Sequence, residues 1–450
     1  MKTNQTLDKQ KQDTTVTGLL DIPAILLGLA ALFGALNYWF VKLPHTIGLV
    51  VIALAASLAV VGLDLIVPTL GLSIRVNGFL ESIDFNVTLM QGMLSFLLFA
   101  GALHVDLGQL LSRKWTILVL ASFGVMLSSL IIGGGFWLAA TVLGLSLPLI
   151  VCLVLGVIVT PTDPVAVLGL LKTLKVPSHL KAKIAGESLF NDGVAVVLFS
   201  IVVLLAFGGY GPHGGEQGDQ HSGSGSMTFA AGLWLFAKEA IGGALLGLIG
   251  GLIAFWVIRR IDDHVLEVLV TLALVTGAYS IALHLHLSGP IAMVIAGLLI
   301  GNQGTALAMS DKTRDHLEKF WELIDEILNS VLFLLIGLEI VFILQNAGNG
   351  VPLPAVIVLV VVVILLSVGA RFTSIFLPLQ VKALRSDVSR GTVPILTWAG
   401  IRGGISVALA LSLPESPERG LLLLVTYCVV LFSVIVQGLT VERVIKRYFP

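Results

Sequence analysis

The sequence predicts an all-α polytopic membrane protein, and three observations support this fold class. Hydrophobic residues make up 56% of the 450-residue chain, and its mean hydropathy is +1.01. Charged residues make up only 12% of the chain, whereas soluble proteins use about 25% to cover their surface. The apolar residues form long continuous runs without the alternation of membrane β-strands, which excludes a β-barrel. The same composition excludes a cytosolic enzyme, a nucleic-acid-binding protein and a disordered chain.

Thirteen apolar segments approach or exceed the roughly 20 residues that a membrane-spanning helix needs. They cover about residues 20–42, 46–67, 88–111, 114–144, 147–173, 180–208, 227–258, 264–286, 289–304, 316–346, 354–378, 390–413 and 418–442. Loops on the N-terminal side contain five Lys and Arg residues, and the opposite loops contain eighteen. Because basic residues concentrate in cytoplasmic loops, we expect an external N-terminus and a cytoplasmic C-terminus in a cell membrane.

The fifth span contains two prolines on either side of an acidic residue. Pro161 and Pro164 flank Thr162 and Asp163. Each proline lacks a backbone N–H and clashes with the preceding turn, so the helix is predicted to open here. Irregular backbone at membrane depth is tolerated where it is buried in protein or lines an aqueous cavity. This favours a cation site that includes Thr162 and Asp163, and the alternative is a kink in which Asp163 caps a half-helix.

The sixth span carries a polar stripe on one face. Glu187 and Asn191 are helical neighbours at i,i+4, and so are Ser188 and Asp192. Two carboxylates in one apolar helix are costly unless they face a cavity or a partner, which favours an ion site over a polar helix seam. Glu187 and Arg371 lie at similar depths in their helices, which makes an ion pair plausible. Asp192 lies deeper and has no obvious basic partner in the sequence.

The twelfth span is interrupted by glycine instead of proline. Gly400, Gly403 and Gly404 surround Arg402, and glycine permits both a helix break and a close backbone approach. The fifth and twelfth spans are seven segments apart, so they run in opposite directions. Interrupted helices at corresponding positions of two halves are typical of the binding site of a secondary transporter.

The predicted organisation is two inverted repeats joined by a linker. It comprises an external N-terminal tail at 1–20, a first six-helix repeat at 20–208, an external flexible loop at 209–226, a linker helix at 227–263 and a second, inverted six-helix repeat at 264–446.

Six stretches of the chain resemble the monovalent cation:proton antiporter-1 family, the group of NhaP-type sodium/proton antiporters and animal sodium/proton exchangers. They are T-P-T-D-P at 160–164, G-E-S-L-F-N-D-G at 186–193, L-H-L-S-G-P-I-A at 285–292, A-G-L-L-I-G-N at 296–302 and, with A-R at 370–371, W-A-G-I-R-G-G at 398–404. The resemblance implies an NhaA-like antiporter fold of thirteen helices with a dimer domain. It also implies a homodimer and elevator-type alternating access by a mobile six-helix core.

The resemblance also implies roles for individual residues. Asp192 is expected to carry the proton or the cation, and Thr162, Asp163 and Ser188 are expected to help bind the ion. The supporting residues are Glu187, Asn191, Arg371, Arg402, Gly403 and Gly404. Two positions depart from the family pattern: Ala100 and Leu283 stand where the family often has glutamate, which affects the expected cation choice and affinity.

The sequence therefore predicts an electroneutral antiporter of Na⁺ or Li⁺ against H⁺, with a role in pH homeostasis. No cofactor and no nucleic-acid partner is expected. The alternatives are a K⁺/H⁺ antiporter with the same machinery and a cation channel. The sequence contains no H-E-x-x-H, G-x-S-x-G or G-x-x-x-x-G-K motif, so a membrane protease, an ATP-driven pump and other enzymes are not expected.

Overall fold

The computed structural model describes residues 21–67, 88–163, 178–207, 229–304, 311–340, 351–381 and 391–449, together with Val76 and Gly78. All regular structure in these ranges is helical, which confirms the all-α prediction. The predicted N-terminal tail at 1–20, the external loop at 209–226 and the second half of span five, from Pro164 to residue 173, lie outside the described residues.

The helices are numbered here in chain order, and short π-helical turns extend several of them. They are α1 (Asp21–Leu36), α2 (His45–Ile66), α3 (Leu94–Leu103), α4 (Leu107–Ser112), α5 (Lys114–Val142), α6 (Leu149–Val159), α7 (Ser178–Phe207), α8 (Phe229–Ile258), α9 (His264–His284), α10 (Gly289–Leu299), α11 (Asp311–Leu338), α12 (Leu353–Phe376), α13 (Thr392–Trp398), α14 (Gly404–Leu411), α15 (Arg419–Phe432) and α16 (Gly438–Tyr448).

Eight helical stretches in the described ranges are long and apolar enough to cross a membrane. They are Asp21–Val41, His45–Asp64, Lys114–Val142, Lys183–Phe207, Ala237–Ile258, His264–His284, Leu353–Gln380 and Arg419–Tyr448. Each of the thirteen predicted segments also contains helix, although several of these helices are short. The chain is thus a multi-pass membrane protein, and the count of thirteen spans stays a prediction.

The chain divides into two compact units, and the first comprises residues 1–85 and 329–342. Its described part contains α1, α2 and the end of α11. The Asn37 side chain holds the turn between α1 and α2: its amide donates to the Leu43 carbonyl at 2.9 Å and accepts from the Leu43 N–H at 3.2 Å. Ser57 of α2 donates to the carbonyl of Gly337 at 3.1 Å, which ties α2 to the end of α11.

The second unit, residues 86–328 and 343–450, contains two apolar core clusters. The first core cluster is formed mainly by α3, α8, α9 and α10 and includes Phe99, Met293 and Trp321. The second core cluster is formed mainly by α5, α6, α12, α14 and α15 and includes Phe136. Helix α7 contributes to both clusters, since Leu189 packs in the first and Phe199 in the second.

Helices α5 and α6 approach closely because glycine lies at their contact. A Cβ at Gly133 of α5 would stand 2.7 Å from the Leu153 Cα and 2.8 Å from the Cys152 carbonyl oxygen. A Cβ at Gly156 of α6 would collide with the carbonyl oxygen of Ser129. Helix association in membranes relies on such small residues because lipid gives no hydrophobic drive between helices. This packing fixes the position of α6, whose end forms part of the candidate site.

Candidate ion-binding site at two interrupted helices

The ends of two interrupted helices meet inside the second unit. Helix α6 ends at Val159, before Pro161, and residues 160–163 are not helical. Helices α13 and α14 are separated by non-helical residues 399–403, as the glycines predict. The two breaks are joined by one main-chain hydrogen bond, in which the Asp163 N–H donates to the Ile401 carbonyl at 2.7 Å. Each break thereby satisfies a polar group that the other leaves unpaired, as a buried backbone requires.

Helix α7 lies against the first break with its predicted polar stripe. The hydroxyl groups of Thr162 and Ser188 form a hydrogen bond at 3.1 Å. The Asn191 amide nitrogen donates to the Thr162 hydroxyl oxygen at 3.2 Å. All three side chains are buried, with at most 1% of their surface exposed. The structure thus brings together residues that are 26 and 29 positions apart in the chain.

Glu187 forms a buried bidentate ion pair with Arg371 of α12, which confirms the predicted pairing. Two guanidinium nitrogens of Arg371 donate to the two carboxylate oxygens of Glu187, each at 2.5 Å. Asn191 also donates to Glu187, at 3.4 Å. Gly400 gives the guanidinium room, because a Cβ there would stand 2.6 Å from Arg371 Nε. Arginine suits a bidentate buried pair because its planar fork matches a carboxylate.

Asp192 is the carboxylate of the site that has no basic partner in the described contacts. It is 3% exposed, and its Oδ1 has no hydrogen-bond partner among the described residues. The main chain of Thr162 hydrogen-bonds to its carboxylate, and Asp163 and Glu187 lie within electrostatic range. The amide oxygen of Asn191 is likewise buried without a partner there. The site therefore contains two buried oxygens, Asp192 Oδ1 and Asn191 Oδ1, that have no hydrogen-bond donor among the described residues.

Glycine at the second break lets the Asp163 side chain pack against it. A Cβ at Gly403 would lie 2.6 Å from the Asp163 Cβ and 2.9 Å from its Cγ. Gly403 has extended backbone angles, so close approach and not a left-handed conformation accounts for glycine here. Gly404 begins α14 directly after the break.

Arg402 is 3% exposed and lies in the second break, and its described hydrogen-bond partners are uncharged. Its guanidinium donates to the carbonyls of Gly400 at 3.2 Å and Ser367 at 3.4 Å. Its backbone N–H donates to the hydroxyl oxygen of Ser433 at 2.8 Å. Ser433 in turn donates to the side-chain oxygen of Gln437.

Ser367, Ser433 and Gln437, which contact Arg402 or support its contacts, were not among the residues predicted from the sequence. The sequence does mark Ser433 and Gln437 as candidates, since they form an i,i+4 polar pair inside an otherwise apolar stretch. The two departures from the family pattern lie elsewhere, since Ala100 and Leu283 pack in the first core cluster. Their effect on cation choice stays a prediction.

Comparison with known proteins identifies the family. The family model described as "Sodium/hydrogen exchanger, transmembrane" matches residues 27–447, which is nearly the whole chain. The chain belongs to this sodium/hydrogen exchanger family. The predicted resemblance is therefore confirmed, and the interrupted helices, the ion pair and the buried aspartate are features of an exchanger-family member.

Relatives of this exchanger-family chain match it over most of their length. It is 44% identical over 432 residues to the Na⁺/H⁺ antiporter NhaP of Pseudomonas aeruginosa, a match that covers 96% of this chain and 97% of that one. It is 38% identical over 371 residues to the antiporter NhaH of Halobacillus dabanensis, which covers 82% and 84% of the two chains. The fold is similar to that of the sodium proton antiporter MjNhaP1 from Methanocaldococcus jannaschii, with a TM-score of 0.70, 21% identity and coverage of 95% and 97%.

The buried ion pair generates a prediction about stability. We expect Arg371→Ala to lower the melting temperature of the purified protein more than the double change Glu187→Gln with Arg371→Ala. Removal of one partner leaves an uncompensated buried charge at a cost of about 3–5 kcal/mol, whereas removal of both is nearly neutral. Thermal unfolding in detergent, followed by circular dichroism, measures the difference.

The matched control is Arg314→Ala, which removes an arginine from an exposed ion pair with Glu318 at 2.8 Å. Such surface pairs contribute about 0–1 kcal/mol, so this variant should unfold close to the wild type. Equal melting temperatures for the Arg371 single and double variants would contradict the assignment.

Proposed function

We propose that this chain is a secondary active Na⁺/H⁺ antiporter in which Asp192 alternately holds one proton or one cation. The main observation behind the proposal is the contrast between two buried carboxylates that lie five residues apart on α7. Glu187 is neutralised by Arg371, whereas Asp192 has an oxygen without a partner in the described residues. A buried carboxylate without a basic partner needs a proton or a bound cation to stay in an apolar interior.

The neighbouring groups suit a small hard cation. The hydroxyl oxygens of Thr162 and Ser188 and the carboxylates of Asp163 and Asp192 are oxygen ligands, which alkali cations prefer to nitrogen or sulfur. They stand where two helices are interrupted, so unwound backbone and half-helix ends are available to coordinate or orient an ion. Li⁺ fits the same chemistry as Na⁺.

The larger arrangement supports alternating access of the elevator type. Helices α5, α6, α12, α14 and α15 share the second core cluster, and one end of α7 packs with them. These elements belong to the fourth to sixth and eleventh to thirteenth predicted spans, and we propose that they form the moving core of a thirteen-helix inverted-repeat fold. The homodimer, the external N-terminus and the cytoplasmic C-terminus in a cell membrane are part of the same proposal.

The first test of the function is transport by purified protein in liposomes that contain a pH-sensitive dye. Addition of Na⁺ should change the internal pH with wild-type protein and not with Asp192→Asn, because the amide cannot exchange a proton for a cation. Parallel additions of Li⁺ and K⁺ determine which cation is carried.

The control for charge removal is Asp106→Asn, since Asp106 is exposed and caps α4 by accepting from the Gln109 N–H at 3.0 Å and from the Gln109 side-chain amide at 3.1 Å. Asparagine is an equally good cap, so this variant should transport normally. Exchange at a wild-type rate by folded Asp192→Asn protein would refute the role of Asp192.

A second prediction concerns voltage. Because Arg371 compensates the charge of Glu187, we expect Asp192 alone to exchange H⁺ for Na⁺, and the loaded core then has the same charge with either ion. We therefore expect one-for-one exchange that is indifferent to membrane potential. Liposomes with equal Na⁺ and pH on both sides and a potassium diffusion potential imposed by valinomycin provide the measurement. Net ²²Na⁺ flux that follows the sign of the potential would contradict electroneutrality and point to Asp163 as a second proton carrier.

A further inference from the structure

The second helix break exposes a backbone donor that needs an acceptor. Helix α13 ends at Trp398, and the Arg402 N–H lies four residues later, outside both half-helices. Arg402 is buried, so this donor would be costly if it were unpaired. Its partner is the Ser433 hydroxyl oxygen at 2.8 Å, on a segment 31 residues further along the chain.

Ser433 accepts this bond at the start of a π-helical turn. Residues Ser433–Gln437 form a π-turn between α15 and α16, and the Gly438 N–H reaches back to the Ser433 carbonyl. A helical serine ordinarily donates its hydroxyl to the carbonyl four residues earlier. Here the hydroxyl donates to the Gln437 side-chain oxygen instead, which directs a lone pair of the serine oxygen toward Arg402. Such π-turns frequently occur at functional sites.

The same break holds the first interrupted helix. The Ile401 carbonyl, one residue before Arg402, accepts the Asp163 N–H at 2.7 Å, and the Asp163 side chain packs on Gly403. A continuous series of contacts therefore runs from Gln437 through Ser433 and the 399–403 break to Asp163. Ser433 is 1% exposed and Gln437 is 4% exposed, so water does not compete freely for these bonds.

We propose that Ser433 and Gln437 are positioning residues for the ion site, acting through the 399–403 break on Asp163 and on the adjacent Thr162. They touch neither the proton nor the cation. Their hydrogen bonds hold the second break in the geometry that places the first break against α7. This inference rests on the proposed exchange, since the affinity for Na⁺ is the property that it affects.

The test compares transport kinetics in the liposome assay. Ser433→Ala should raise the half-saturating Na⁺ concentration about three- to tenfold, as expected for loss of one buried hydrogen bond, while the rate at saturating Na⁺ changes less than twofold. Gln437→Met, which keeps the length of the side chain but removes the acceptor, should raise it in the same direction. Ser433→Thr keeps the hydroxyl and should restore the wild-type value.

The matched control is Thr426→Val on the same helix, two turns before Ser433. Thr426 is 1% exposed, and its hydroxyl has no hydrogen-bond partner among the described residues, so its removal should leave the Na⁺ dependence unchanged. Wild-type Na⁺ dependence in both Ser433→Ala and Gln437→Met would overturn the proposal. An equal shift in Thr426→Val would also overturn it, because general packing would then explain the effect.

A measurement without transport separates this inference from the proposed function. Hydrogen exchange followed by mass spectrometry should show faster exchange in the peptide containing Arg402 for Ser433→Ala than for Thr426→Val. If wild-type protein shows no Na⁺-driven pH change, the proposed function fails, and this exchange rate still tests the hydrogen-bond network. Equal exchange rates in the two variants would refute the network.

Discussion

The structure depends on the requirement that a charge inside an apolar interior be compensated. Glu187 meets this requirement inside the protein, through two hydrogen bonds of 2.5 Å from Arg371. Asp192 lies five residues further along α7 and has no such partner in the described contacts. In the proposed exchange, that compensation comes from solution, as a proton or a cation. The difference between a permanently paired and an exchangeably paired carboxylate is the physical basis of the proposed exchange.

The arrangement of interrupted helices follows from the same requirement applied to backbone groups. Proline ends α6 and glycine separates α13 from α14, so backbone N–H and C=O groups at both breaks have no partner within their own helix. The bond from Asp163 to Ile401 and the bond from Arg402 to Ser433 satisfy some of these groups within the second unit. Glycine at 400 and 403 is needed because Arg371 and Asp163 occupy the space that a Cβ would take. The proline and glycine residues that interrupt the helices thus lie where the packing of the two breaks requires them.

Much of this site was predictable from sequence because helical periodicity and membrane depth constrain it. The i,i+4 spacing placed Glu187, Ser188, Asn191 and Asp192 on one stripe, and depth matching indicated Arg371 as the partner of Glu187. The fold class followed from apolar segment lengths. The division into two compact units did not follow, because it depends on tertiary packing between segments far apart in the chain, such as Ser57 with Gly337.

The contacts of Ser433 and Gln437 also did not follow from the sequence, although their i,i+4 spacing marks them as a polar pair. Ser433 and Gln437 lie in a π-turn, and sequence periodicity based on 3.6 residues per turn does not reveal such a turn. Their partner, the Arg402 N–H, is a backbone group that no sequence motif encodes. Serine and glutamine in a membrane helix are otherwise typical of a helix–helix contact.

Proton release on cation binding tests whether one carboxylate is shared between H⁺ and Na⁺. Calorimetric titration of the purified protein with Na⁺, in buffers of different ionisation enthalpy, gives the number of protons released per bound ion. Across a pH series, the wild-type protein should approach one proton released per Na⁺, and Asp192→Asn should release none. Proton release that persists undiminished in Asp192→Asn would show that Asp192 is not the shared carboxylate.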